Sequence, residues 1–193
     1  MENRIQSLEK QITDERARLS TDRMDVSFGE LINMYKVGEL VIRPEYQRLF
    51  RWTRSQKTIL IESILLGIPV PPIFVAEDES GVWELVDGLQ RISTIISFFG
   101  DLDEKLMTIS PNDSLNEELN EDEENNVNKW TLESGGLVKE LEGFNVDSLP
   151  KKYIINIKRA VCRVEILRGE TNTAMKYDCL LKTSPSQRDV EEY

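Results

Sequence analysis

The stretch PPIFVAEDESGVWELVDGLQRISTIISFFG (71–100) constrains the fold more than any other part of the chain. PPIFVAE reads as a strand, DESG as a turn and VWELV as its hairpin partner, because β-branched and aromatic residues flank a cluster of turn formers. Asp87-Gly88 then bends the chain into a helix over Leu89 to Phe99. Ile92, Ile95, Ile96 and Phe99 share its inward face, and Gly100 ends it. A hairpin that runs straight into a helix does not suit a doubly wound sheet. The other elements are mixed without a βαβ rhythm, so the expected class is α+β.

Those other elements follow the same logic. Residues 1–23 place Ile5, Leu8, Ile12 and Leu19 at helical spacing amid charge, which predicts an amphipathic helix, either docked on the domain or paired with another chain. Ser27-Phe-Gly-Glu30 has the spacing of a capping box, and Gly38 closes the helix it opens. ELVIR (39–43) predicts a short strand stopped by Pro44. Thr53 or Ser55 caps a helix that ends near Gly67. DSLPKKYIINIKRA (147–160) predicts a capped helix with proline early in its first turn, VCRVEIL (161–167) a strand, and about Thr173 to Lys182 a last helix. The chain then divides into a terminal helix (1–23), a mixed core (24–100), an acidic loop or insertion (101–130), the rest of the same domain (131–182) and a polar tail (183–193).

Charge and residue types limit the chemistry. The chain of 193 residues carries a net charge of −11, but 101–150 alone hold 14 acids and 3 bases, whereas 151–193 hold 9 bases and 6 acids. A basic face outside the acidic segment is therefore compatible with the composition. Histidine is absent. That excludes Ser-His and Cys-His nucleophiles, histidine zinc sites and histidine-based nucleases. Cys162 and Cys179 have no metal-ligand spacing, and the acidic segment lacks the spacing of a calcium loop. Met1 to Ser20 has no apolar core of a signal peptide, and Ile59 to Ala76 is interrupted by Glu62, Gly67 and three prolines. A cytoplasmic location is the expectation.

Two segments carry candidate chemistry. At Asp87-Gly88-Leu89-Gln90-Arg91, one reading is structural: Asp87 caps the helix, Gly88 relieves a turn and Arg91 is a surface charge. The other is a phosphate site, with the first-turn amides aimed at an anion and Arg91 adding a charge-assisted hydrogen bond. IRPEYQRLFRWTRSQK (42–57) supplies Arg43, Arg48, Arg51, Arg54 and Lys57 among Tyr46, Phe50 and Trp52. It suits either nucleic-acid backbone contacts or an aromatic core rimmed by arginines.

Taken together, PEYQRLFRW, ESILLGIPVPPIFV and WELVDGLQRISTIISFF resemble the N-terminal domain of the GmrSD-type restriction endonucleases, in the ParB/sulfiredoxin-like superfamily. The resemblance is strong over about 26–100 and looser over LPKKYIINIKRAVCRVEIL. It implies a small mixed sheet with packed helices and a role in restriction or anti-phage defence. It also implies a nucleotide site at Asp87, Gly88, Leu89, Gln90 and Arg91, with Gln47 and Arg48 from the earlier motif. Under this reading a nucleoside triphosphate is held by its phosphates, Asp87 orients a Mg²⁺ or a water, and Arg91, Gln90 and Arg48 complete a hydrolytic site. Leu89 stands where DGQQR is frequent. Relatives of this kind often carry a histidine-dependent HNH nuclease, which this sequence cannot supply, so that activity is either absent or lies on a separate nuclease chain as partner. The alternatives are a non-catalytic DNA-binding module built on Arg43, Arg48, Arg51, Arg54 and Lys57, and an inactive truncated remnant.

Overall fold

The computed structural model describes residues 2–18, 20–43, 52–102 and 128–168. The hairpin consists of β3 (Ile73–Glu77) and β4 (Trp83–Asp87), paired antiparallel with a shift of register between Phe74 and Val75. Its turn is fixed by one carboxylate. Asp78 Oδ1 accepts from the N–H groups of Ser80 and Val82 and from the Ser80 hydroxyl, at 2.8, 2.9 and 2.7 Å. Such a side chain mimics a backbone turn.

The hairpin occupies the middle of a five-stranded sheet. β5 (Val161–Arg168) runs parallel to β3, β1 (Ser20–Ser27) lies antiparallel beyond β5, and β2 (Leu40–Val41) runs parallel to β4. The order β1-β5-β3-β4-β2 mixes both senses of pairing, as an α+β fold does. Among the described residues there are five α-helices: α1 (Glu2–Arg18), α2 (Phe28–Val37), α3 (Arg54–Leu65), α4 (Leu89–Phe99) and α5 (Lys151–Arg159).

The N-terminal helix stops five residues earlier than the sequence pattern predicts, and Ser20–Ser27 is a strand. Only Val26 of β1 is buried, so the strand shows almost no apolar alternation. It is held by its ladder with β5 and by cross-strand ion pairs: Arg23–Glu165 at 2.8 Å, Arg163–Asp25 at 3.2 Å and Arg168–Asp22 at 3.0 Å. Each exposed pair is worth at most about 1 kcal/mol. Ile5, Leu8 and Ile12 of α1 stay 44–54% exposed, so this face is not docked on the sheet.

The ends of α2 and α3 follow the sequence, whereas α5 starts after Pro150, which is its N-cap residue rather than part of its first turn, and no side chain caps it. Ser27 Oγ accepts from Glu30 N–H, and Gly38 closes α2 in the left-handed region. Thr53 and Gln56 form a full capping box on α3. The core lies between one face of the sheet and the helices, with Ile73, Val75, Cys162, Val164 and Ile166 wholly buried. On α4, Ile92, Ile95 and Ile96 are buried as expected, but Phe98 rather than Phe99 is the deeper ring. Phe98 packs edge-on against Trp130 at 5.3 Å.

Two polar groups on α3 organise the segment after 128. Thr58 Oγ1 accepts from Glu133 N–H at 3.0 Å. One turn on, the buried Glu62 carboxylate accepts from the N–H groups of Gly136, Leu137 and Val138. Burial raises the Glu62 pKa, but these three donors and the nearby Lys139 charge outweigh it and hold the group below the usual glutamate range. The predicted helix at 173–182, the acidic segment at 103–127, and Cys179 lie outside the described residues; Cys162 is buried and unbridged.

Candidate functional site

β4 delivers Asp87 to the end of the sheet, and α4 starts two residues later. Gly88, not Asp87, is the N-cap residue, and no side chain caps the helix. The expectation that Asp87 caps α4 is thereby corrected. With φ +96°, Gly88 occupies a conformation that L side chains rarely adopt. A Cβ there would stand 2.5 Å from Ile73 Cγ2, so the glycine is also demanded by the tight contact between the bend and β3.

Arg91 is not a surface charge. Its side chain is only 14% exposed. Nη1 donates to the carbonyl oxygens of Pro71 and Pro72, and Nη2 lies 3.5 Å from Asp87 Oδ2. The guanidinium thus ties the first turn of α4 to the chain that leads into β3. A guanidinium carries five N–H donors in a fixed fork. Among the described residues, the three contacts leave part of that fork uncommitted.

Gln90 makes the other connection. Its Oε1 accepts from the backbone N–H of Trp52 at 3.2 Å. Trp52 follows the PEYQRLFR segment directly, so the end of the first motif is fastened to the helix of the second. Thr94, one turn beyond Gln90, is fully buried, and its hydroxyl has no hydrogen-bond partner among the described residues. Ser97, further along, donates to Thr94 O and accepts from Trp130 Nε1, both at 3.0 Å.

Asp87, Gly88, Leu89, Gln90 and Arg91 therefore lie together, beside Trp52. Gln47, Arg48 and Arg51 fall outside the described residues. The remaining cations of the proposed DNA-binding set do not form a row of open charges. Arg43 Nη2 donates to Glu84 Oε2 at 2.7 Å, and its Nε lies beside Oε1 without hydrogen-bond alignment. Lys57 Nζ lies 5.8 Å from the centroid of the Trp130 ring. Burial, with a smaller contribution from the Arg54 charge, lowers its pKa to about 8. Arg54 opens α3 and is partly exposed.

Sequence reasoning missed Thr58, Glu62 and Ser97. The signal for Glu62 was present: a lone carboxylate in an apolar helix, matched by a Gly135-Gly136 pair downstream. Among the described residues, no group of three or more acidic or cysteine side chains could hold a metal ion, and no helix is long and apolar enough to cross a membrane. The family model described as "GmrSD restriction endonuclease, N-terminal domain" matches residues 28–178. No curated protein and no solved structure matches the chain.

Proposed function

Because the chain belongs to the GmrSD restriction endonuclease N-terminal domain family, we propose that this restriction-system module binds a nucleotide by its phosphates at the Asp87–Arg91 junction. The observation that carries this reading is the Trp52–Gln90 hydrogen bond. It sets the end of the Arg-rich segment against the first turn of α4. Arg48 and Gln47 stand four and five residues before Trp52 in the sequence. Arg48 and Gln47 are assigned to the same site.

The chemistry follows from the donors. The first turn of an α-helix presents N–H groups and a partial positive charge, and Gly88 supplies no side-chain cap to them on α4. The open part of the Arg91 fork adds a charge-assisted hydrogen bond worth about 1.5–3 kcal/mol. Pro71 and Pro72 hold the guanidinium in place before ligand arrives, which reduces the ordering cost of binding. Asp87 is a single, partly exposed carboxylate. That fits a Mg²⁺ taken through one protein carboxylate and the phosphates themselves. When bound, such an ion would neutralise phosphate charge. Where hydrolysis occurs, Asp87 orients water while Arg91 and Arg48 stabilise charge on the phosphates.

Calorimetric titration of the chain with each common nucleoside triphosphate, with and without Mg²⁺, tests the reading. Saturable heat is expected for at least one. Gln90→Ala should weaken it about tenfold, the size of one hydrogen bond and its positioning effect. Asp87→Asn should remove the Mg²⁺-dependent part. Absence of saturable heat with every triphosphate would refute the proposal. Phosphate release measured alongside separates hydrolysis from binding alone.

A further inference from the structure

We propose that the outer face of α5 is a separate binding surface, which takes the phosphate backbone of duplex DNA. This helix, KKYIINIKR, has four cations and no acid. At about 100° per residue, Lys151, Ile155 and Arg159 form one row, Lys152 and Asn156 a second beside it, and Lys158 flanks them. Ile157, fully buried, and the partly buried Ile154 lie on the opposite side.

Lys151, Lys152, Lys158 and Arg159 are all exposed, and none makes an ion pair among the described residues. Their contacts are aromatic: Lys152 Nζ is 4.6 Å from the Tyr153 ring centroid, and Lys158 Nζ is 5.1 Å from that of Phe99. The exposed arginines of the neighbouring strands, Arg23, Arg163 and Arg168, each have a carboxylate partner. Helix stability accounts for only half of the set. Lys158 and Arg159 suit the last turn, but Lys151 and Lys152 stand in the first turn, where the helix dipole favours acids. Their placement is explained by an external anion.

The shape of the face selects among anions. A helix that lies in a membrane surface needs a broad apolar face rich in Trp, Phe or Leu. Here the exposed apolar groups are Ile155 at 36% and Tyr153 at 37%, within an otherwise polar arc. Lys151 and Arg159 are about 12 Å apart along the axis, which spans about three to four base pairs of duplex. Three to four phosphate contacts follow. The surface does not depend on the nucleotide reading, and its test uses no nucleotide.

The test is fluorescence anisotropy of a labelled duplex of arbitrary sequence, about 20 base pairs long, titrated with the full chain between about 50 and 200 mM NaCl. The logarithm of the binding constant should fall with the logarithm of salt with a slope of about −3. Lys151→Gln/Lys152→Gln should reduce that slope by about 2 and weaken binding about tenfold or more. Arg4→Gln/Lys10→Gln, an equal change of charge on exposed positions of α1, should keep the wild-type slope. No retention at the lowest salt, an unchanged slope in the α5 variant, or equal losses in both variants would overturn the proposal. So would binding to phosphatidylserine vesicles with none to the duplex.

Discussion

The Glu62 carboxylate accepts a 2.6 Å hydrogen bond from the backbone N–H of Val138, 76 positions further along the chain. With the bonds from Gly136 and Leu137, it turns α3 into the anchor of the segment that follows 128. Gly135 makes the approach feasible, because a Cβ there would stand 2.5 Å from Glu62 Oε1. A buried anion satisfied by three backbone donors is costly to lose, since each orphaned donor keeps its desolvation penalty.

Glu62→Gln should therefore destabilise the protein by about 2 kcal/mol at neutral pH, read from urea denaturation. The pH dependence has a definite sign. The folded-state pKa of Glu62 lies below its unfolded value, so its stabilising contribution is present above the ordinary glutamate pKa. It is lost as pH falls through the folded value. The stability gap between wild type and Glu62→Gln should narrow on acidification from pH 6 to 3. A gap that widens would contradict the anchoring role.

Gly88→Ala combines two penalties. The positive φ costs about 1–2 kcal/mol for a residue with a Cβ, and the contact with Ile73 Cγ2 adds overpacking of about 1–3 kcal/mol. A loss of about 2–5 kcal/mol in a melting or denaturant experiment is expected. A neutral effect would mean that the bend adopts another conformation.

Lys57 differs from Glu62 in that its charged form is the destabilising one, although stability rises with pH at both sites. Its pKa is lowered to about 8, first by burial, so the unfolded chain binds more protons between about pH 8 and 10.4. Stability contributed by this site should rise with pH across that window. Lys57→Met should be more stable than wild type at pH 7, with the advantage shrinking toward pH 10. An advantage that stays constant would show that the lysine pKa is not depressed.

Much of this architecture was legible because local rules and tertiary packing agree. Asp78 and Gly81 write the hairpin turn, Thr53 and Gln56 write a helix start, and the isoleucines of α4 mark its buried face. β1 was hidden because Arg23, Asp25 and Asp22 stabilise it through partners on β5, and a pairing across more than a hundred residues leaves no periodic trace. The cluster at Asp87–Arg91 was visible as a motif, yet the role of Arg91 was not. Its contacts to the Pro71 and Pro72 carbonyls depend on how the bend folds back over the lead-in to β3. Glu62 looked like an interruption in an apolar helix because its partners are backbone amides, whose one trace in the sequence is the Gly135-Gly136 pair.

The nucleotide site is tested most directly by hydrogen–deuterium exchange of the full chain with and without saturating triphosphate and Mg²⁺. The account predicts slowed exchange at the amides of Leu89, Gln90 and Arg91 and at Trp52, with the α5 amides unchanged. Bound nucleotide that leaves the Leu89–Arg91 amides unaltered, and protects another part of the chain instead, would contradict it.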